Sequence, residues 1–109
     1  VIDDEDDVAV AAITVAEMLV GVELASSRYR HQRESFVADI VSSIPIVPYD
    51  LSVAGEYSKL LVAVRTAGRP RGAHDLIIAA TARATNRRII TADPEAFEEL
   101  PGVDVHLHR

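Results

Sequence analysis

The sequence predicts an α/β fold, a three-layer α/β/α sandwich built on a mainly parallel sheet. Three observations predict it. Short apolar runs that read as buried strands alternate with longer stretches of helical periodicity, in the order β-α-α-β-α-α-β-α-β. Apolar residues make up 49% of the 109 residues and aromatic residues only 5%, so the expected core is aliphatic and alanine-rich, as suits helices packed on a small sheet. Breakers recur between the runs, at Pro45, Pro48, Gly68-Arg-Pro-Arg-Gly72 and Pro94, yet neither a repeat nor a linker divides the chain. Residues 1–109 are therefore expected to form a single domain.

Taken in order, residues 1–7 are expected to be an acidic loop, because a run of like charges repels itself. Val8 to Ile13 reads as a buried strand. Thr14 then serves as an N-cap, with the helix over Val15 to Ser27 and Glu17 in its first turn, completing a Thr14-Val-Ala-Glu17 capping box. A second helix covers Tyr29 to Ser42, with Phe36, Val37, Ile40 and Val41 on its apolar face. Ile46 and Val47, enclosed by prolines, form a short edge strand. Asp50 caps the next helix, in which Ala54, Tyr57, Leu61 and Val64 mark one side. Beyond the Gly68–Gly72 breaker, Asp75 to Ala84 is apolar nearly all round and should be largely buried. Arg88 to Thr91 reads as a strand, Pro94 to Leu100 as a short helix, and Val103 to Leu107 as an alternating last strand with His106 and His108 on its wet face.

Charge and composition exclude several classes. The net charge is −6, but the five acids at positions 3–7 account for all but one unit of it. From Arg65 to Arg88 there are six arginines and one acid, Asp75, so a segment of this acidic chain is suited to anions. Ten of the eleven basic residues are arginine. The absence of cysteine excludes disulfides and thiolate chemistry. The longest apolar run, Val8 to Ile13, is too short to span a bilayer and no signal peptide is visible, so a soluble cytoplasmic protein is expected, with no membrane partner.

Three carboxylates carry the chemical reading. Glu17, Asp75 and Asp93 each stand where a strand hands over to a helix or the reverse. In a parallel α/β sheet the helix starts and strand ends share one edge, where ligands bind. Carboxylates that converge repel one another unless a divalent cation joins them, so the pattern points to a metal site and phosphodiester chemistry. Oxygen-only ligands suit Mg²⁺ or Mn²⁺. Arg65, Arg69 and Arg71, on the approach to the Asp75 helix, are placed to hold phosphates near such an ion; a solvated charged loop explains them equally well. Glu17 also reads as a capping-box acid, and Asp93 as the cap before a proline at the first helical position. Asp75 resists the structural reading best, because a charge beside a buried helix needs a partner. His74 either touches phosphate or caps the loop.

These stretches carry a family resemblance. Ile13-Thr-Val-Ala-Glu17-Met-Leu-Val-Gly21, His74-Asp75-Leu-Ile-Ile-Ala-Ala-Thr-Ala82 and Ile90-Thr91-Ala-Asp93-Pro-Glu-Ala-Phe97, with Leu100-Pro-Gly-Val103, resemble the PIN-domain ribonucleases, specifically the VapC toxins of type II toxin–antitoxin pairs. The resemblance covers most of the chain and implies a metal-dependent endoribonuclease. It assigns Glu17, Asp75 and Asp93 to the family's second, third and fourth acids, and Thr91 to the hydroxyl residue that helps order the metal and its waters. It further implies RNA as substrate, a VapB-type antitoxin whose tail covers the acidic pocket, and a homodimer.

The resemblance departs at the start. The family's first acid closes an opening strand that is followed by a helix. Only thirteen residues separate Asp3 from Glu17, and they must hold a loop and the strand Val8–Ile13. The family's first strand and first helix are thus expected to be absent, leaving the fold N-terminally incomplete. A second functional class follows from that: a catalytically incomplete PIN fragment acting as a protein-binding module for antitoxin or dimer partner. Metal-dependent cleavage separates the two. A receiver domain, suggested by Val1-Ile-Asp-Asp-Glu5, would need a lysine after its last-but-one strand, and the single lysine, Lys59, falls inside a helix.

Overall fold

The computed structural model describes residues 8–91 and 93–107. The expected acidic loop at 1–7 and His108 lie outside the described residues. The contacts divide the chain into two compact units, one ending at Pro48 and one running from Tyr49 onward. The element order is the expected one: β1 (Val10–Ala11), α1 (Ala12–Leu24), α2 (Ser27–Ser43), β2 (Ile46–Val47), α3 (Leu51–Ala67), α4 (Ala73–Ala84), β3 (Ile89–Thr91), a 3₁₀ turn (Pro94–Phe97) and β4 (Val105–Leu107).

In the first unit, β1 pairs in parallel with β2, Val10 opposite Ile46 and Ala11 opposite Val47, and the Val10 amide donates to the Pro45 carbonyl at 2.9 Å. The strand expected over Val8–Ile13 is thus only two residues long. Its partner sets that length: β2 is enclosed by Pro45 and Pro48, and Pro48 has no N–H to extend a ladder. Once the ladder ends, the chain turns helical at Ala12, three residues earlier than expected. Ala11 takes the N-cap position with no side-chain cap bond, so Thr14 caps nothing and the capping box is not formed. α1 packs on α2. Arg30 ties the pair, its guanidinium bonding Glu23 and Glu34 at 3.0 Å each, and Arg33 donates to the Gly21 carbonyl at 3.1 Å. The hydrogen bond to Glu34, with the nearby charge of Glu23, holds the Arg30 pKa above its ordinary value.

The second unit is denser. α3 starts where expected, the Asp50 carboxylate accepting from the Val53 amide at 3.0 Å. It stops at Gly68, whose φ of 68° lets the Arg69 amide reach back to the Val64 carbonyl. Asn86, with φ 54°, closes α4 in the same way, the Arg87 amide bonding the Ala82 carbonyl at 2.8 Å. α3 packs on α4, and α4 and β4 both pack on the 3₁₀ turn. β3 and β4 pair in parallel, Ile89 opposite Val105. Val53, Leu60 and Val64 from α3 meet Leu76, Ala79 and Ala80 from α4, closed below by Ile89, Phe97 and Leu100. The alanines let the helix backbones approach closely, and α4 is buried as expected. Thr81, buried within it, donates its hydroxyl to the Ile77 carbonyl at 2.7 Å. Across the same interface Glu56 and Arg83 form a largely buried ion pair at 3.0 Å, and Arg83 also donates to the Pro101 carbonyl at 2.8 Å. The expected helix Pro94–Leu100 shortens to the 3₁₀ turn, and the last strand begins at Val105 instead of Val103, with His106 exposed as expected. Among the described residues no helix is long and apolar enough to cross a membrane.

Candidate functional site

Asp75 occupies the third position of α4, after Gly72 as N-cap. Its first-turn placement is as expected, and the unpaired N–H groups and macrodipole of a helix start favour a carboxylate there by about 0.3–1 kcal/mol. The carboxylate lies over the cap: a Cβ added to Gly72 would stand 3.8 Å from Asp75 Oδ2. Asp75 is half-buried, and among the described residues it has neither an ion pair nor a side-chain hydrogen bond.

Asp93 follows β3 and is exposed. It takes the expected N-cap position before Pro94, but its carboxylate makes no cap bond. Instead its amide donates to Thr91 Oγ1 at 3.0 Å, which ties the Asp93 backbone to the end of β3 and leaves the carboxylate unused. It too is without an ion pair among the described residues.

Glu17 is placed differently from expectation. Because α1 begins at Ala12, Glu17 is the sixth residue of the helix, in its second turn, and is exposed. It belongs to the first unit, whereas Asp75, Thr91 and Asp93 belong to the second. Among the described residues no group of three or more His, Asp or Glu side chains is close enough to hold a metal ion. Among the described residues the second unit thus offers two carboxylates without an ion pair, Asp75 and Asp93, each an oxygen donor of the hard kind Mg²⁺ prefers.

The arginines divide. Arg65 is exposed in the last turn of α3. Arg69 forms an ion pair with Glu99, and Arg71 donates to the Glu98 carbonyl at 2.5 Å. The Glu98–Glu99 turn, which the sequence reading had not singled out, thus engages both loop arginines. So does the Glu56–Arg83 pair lie outside that reading; in each case the partners are 27 or more residues apart, and no local pattern announces them. His74 is exposed beside Asp75.

Comparison with known proteins identifies the family. The PIN domain family model matches residues 1–103. A ribonuclease VapC of Rickettsia bellii is 28% identical over 101 residues, covering 92% of this chain and 75% of the relative. Toxin FitB of Neisseria gonorrhoeae is 33% identical over 97 residues, covering 84% of this chain and 69% of its own. The structure of VapBC-5 from Mycobacterium tuberculosis, a member of the VapBC family of toxin–antitoxin systems, aligns with a TM-score of 0.81 at 27% identity, over 92% of this chain and 81% of that one. The family match over residues 1–103 shows that this α/β chain, with four helices and short parallel strands among its described residues, belongs to the PIN domain family.

Proposed function

We propose that this chain is a metal-dependent endoribonuclease, the toxin of a toxin–antitoxin pair, hydrolysing RNA phosphodiesters in the cytoplasm. The observation that carries the reading is that Asp75, at a helix start, and Asp93, beyond β3, have no ion pair among the described residues, in a chain matched by the PIN model over residues 1–103. α4 and β3 are joined by the short link 85–88, and a strand that returns along its helix ends at the edge where that helix began. Asp75 and Asp93 are assigned to hold Mg²⁺ or Mn²⁺. Glu17 is assigned as a third acid on its sequence position alone. A bound divalent ion supplies Lewis acidity at a phosphoryl oxygen and lowers the pKa of water. Thr91 acts by positioning, its hydroxyl fixing the Asp93 amide and with it the carboxylate. Arg65, Arg69 and Arg71 are assigned to RNA phosphates.

The proposed partners are a VapB-type antitoxin and a second copy of the chain. The names of the relatives support the first: the Rickettsia bellii protein is a ribonuclease VapC, and the Mycobacterium tuberculosis structure is of a toxin–antitoxin system. A second reading, a binding module without catalysis, is favoured by one observation, that no three acids are grouped among the described residues. RNA cleavage with Mg²⁺ or Mn²⁺ separates the readings. Cleavage is expected to vanish with chelator and in Asp75→Asn, whose circular dichroism should match that of the parent. Cleavage undiminished in Asp75→Asn would remove the site assignment, and none from the parent chain would leave the binding module.

A further inference from the structure

The second unit contains a cavity of about 220 Å³, walled by Ala63, Val64 and Ala67 of α3 and by Leu100 and Pro101. This exceeds the ~30 Å³ share of one water and falls below the ~300–1,000 Å³ that enclose a drug-sized ligand. It therefore suits a fragment with one flat or compact apolar face. Its polar lining is Arg69, Arg71 and Glu99. Arg71 spends one N–H on the Glu98 carbonyl, but its Nε is buried and has no acceptor. A guanidinium carries five N–H donors, so Arg71 keeps others to offer an oxygen in the cavity it lines. Arg69 is held by Glu99, an exposed ion pair of the kind that opens readily. Glu99 itself stands at φ 62°, a backbone region uncommon for glutamate.

We infer that this cavity is a single-nucleotide subsite: the base or ribose lies on the apolar walls, and a phosphate replaces the Glu99 carboxylate on Arg69 and accepts from the Arg71 guanidinium. The inference rests on the RNA reading above and adds where a nucleotide beyond the acids is held. Arginine forks match phosphate geometry, and single-stranded RNA is bound by pairing such contacts with surfaces for its flat faces. Glu99 is then an internal competitor, so free RNA must displace it.

The test is titration of the full chain, in EDTA so that no cleavage intervenes, with nucleoside 5′-monophosphates, the corresponding nucleosides, inorganic phosphate and acetate, followed by amide chemical shifts. Saturable shifts at Ala63, Ala67 and Glu99 are expected with the monophosphates and not with nucleosides or acetate. Arg69→Ala should weaken binding about tenfold, the scale of one charge-assisted contact. Glu99→Gln should tighten it severalfold, and Ala67→Leu, at an exposed position that fills the cavity, should abolish it. Monophosphates that leave these amides unmoved, an affinity indifferent to Glu99→Gln and Arg69→Ala, or equal binding of acetate would each overturn the subsite. Cleavage measured separately keeps the two proposals apart. A nuclease that shows no such shifts loses only the subsite; shifts in a chain that cleaves nothing support the subsite and remove the nuclease.

Discussion

The α1–α2 unit and the α3–α4 unit draw on similarly aliphatic sequence and use it differently. In the α3–α4 unit, ten buried residues form one continuous cluster that takes in both helices, β3 and the turn behind it. In the α1–α2 unit the buried apolar residues are Val22 and Val37, while Leu19, Val20, Leu24, Phe36 and Val41 are exposed. The difference lies in arrangement. α3 and α4 each present large residues on one side, and the small residues of α4 let the two helices meet closely. α1 is apolar nearly all round, so its sequence favours no single face, and α2 carries three arginines, two of which, Arg30 and Arg33, reach across to α1. Apolar content measures how much surface water would rather not touch; only patterning decides whether the chain itself covers it.

Core truncations break this comparison most directly. Leu60 is fully buried, and Leu60→Ala is expected to destabilise the protein by about 2–5 kcal/mol, the cost of lost transfer energy plus a cavity. Val37, with 7% of its surface exposed, loses two methyl-sized groups in Val37→Ala, or about 1.5 kcal/mol. Urea unfolding followed by far-ultraviolet circular dichroism measures both. Losses equal per carbon removed, three at Leu60 and two at Val37, would mean that the two units are equally well packed, and the contrast would fail.

How much of this was legible in the sequence follows the same division. β2, the Asp50 cap, the Gly68 stop and the end of α4 lie where the sequence placed them, because each is set by a residue with one dominant local preference. The start of α1 was not legible. Val8–Ile13 looks like a strand of six residues, but strand length is a property of the pair, and the prolines that limit β2 lie some thirty-five residues further on. The surroundings of the candidate site residues were legible only in part. Asp75 stands in its first turn and Asp93 at the cap before Pro94, as expected, but the Asp93 carboxylate makes no cap bond and its amide donates to the Thr91 hydroxyl. The Glu98–Glu99 turn that holds Arg69 and Arg71 had no local signature, since ion pairs across such separations depend on the fold that brings the segments together.

The smallest effect tests the comparison from its other side. Leu24 ends α1 with 81% of its surface exposed. Leu and Gln have similar helix propensities, so Leu24→Gln changes little besides the apolar surface offered to water. If α1 leaves that surface uncovered, little transfer energy is lost on substitution, and the unfolding free energy should stay within about 0.5 kcal/mol of the parent. The same substitution at a buried leucine would introduce an unpaired amide and cost several times more. A loss above about 1 kcal/mol for Leu24→Gln would mean that the exposed side chains of α1 are covered in the folded protein after all, and that the weaker core of the α1–α2 unit is no measure of what it contributes to stability.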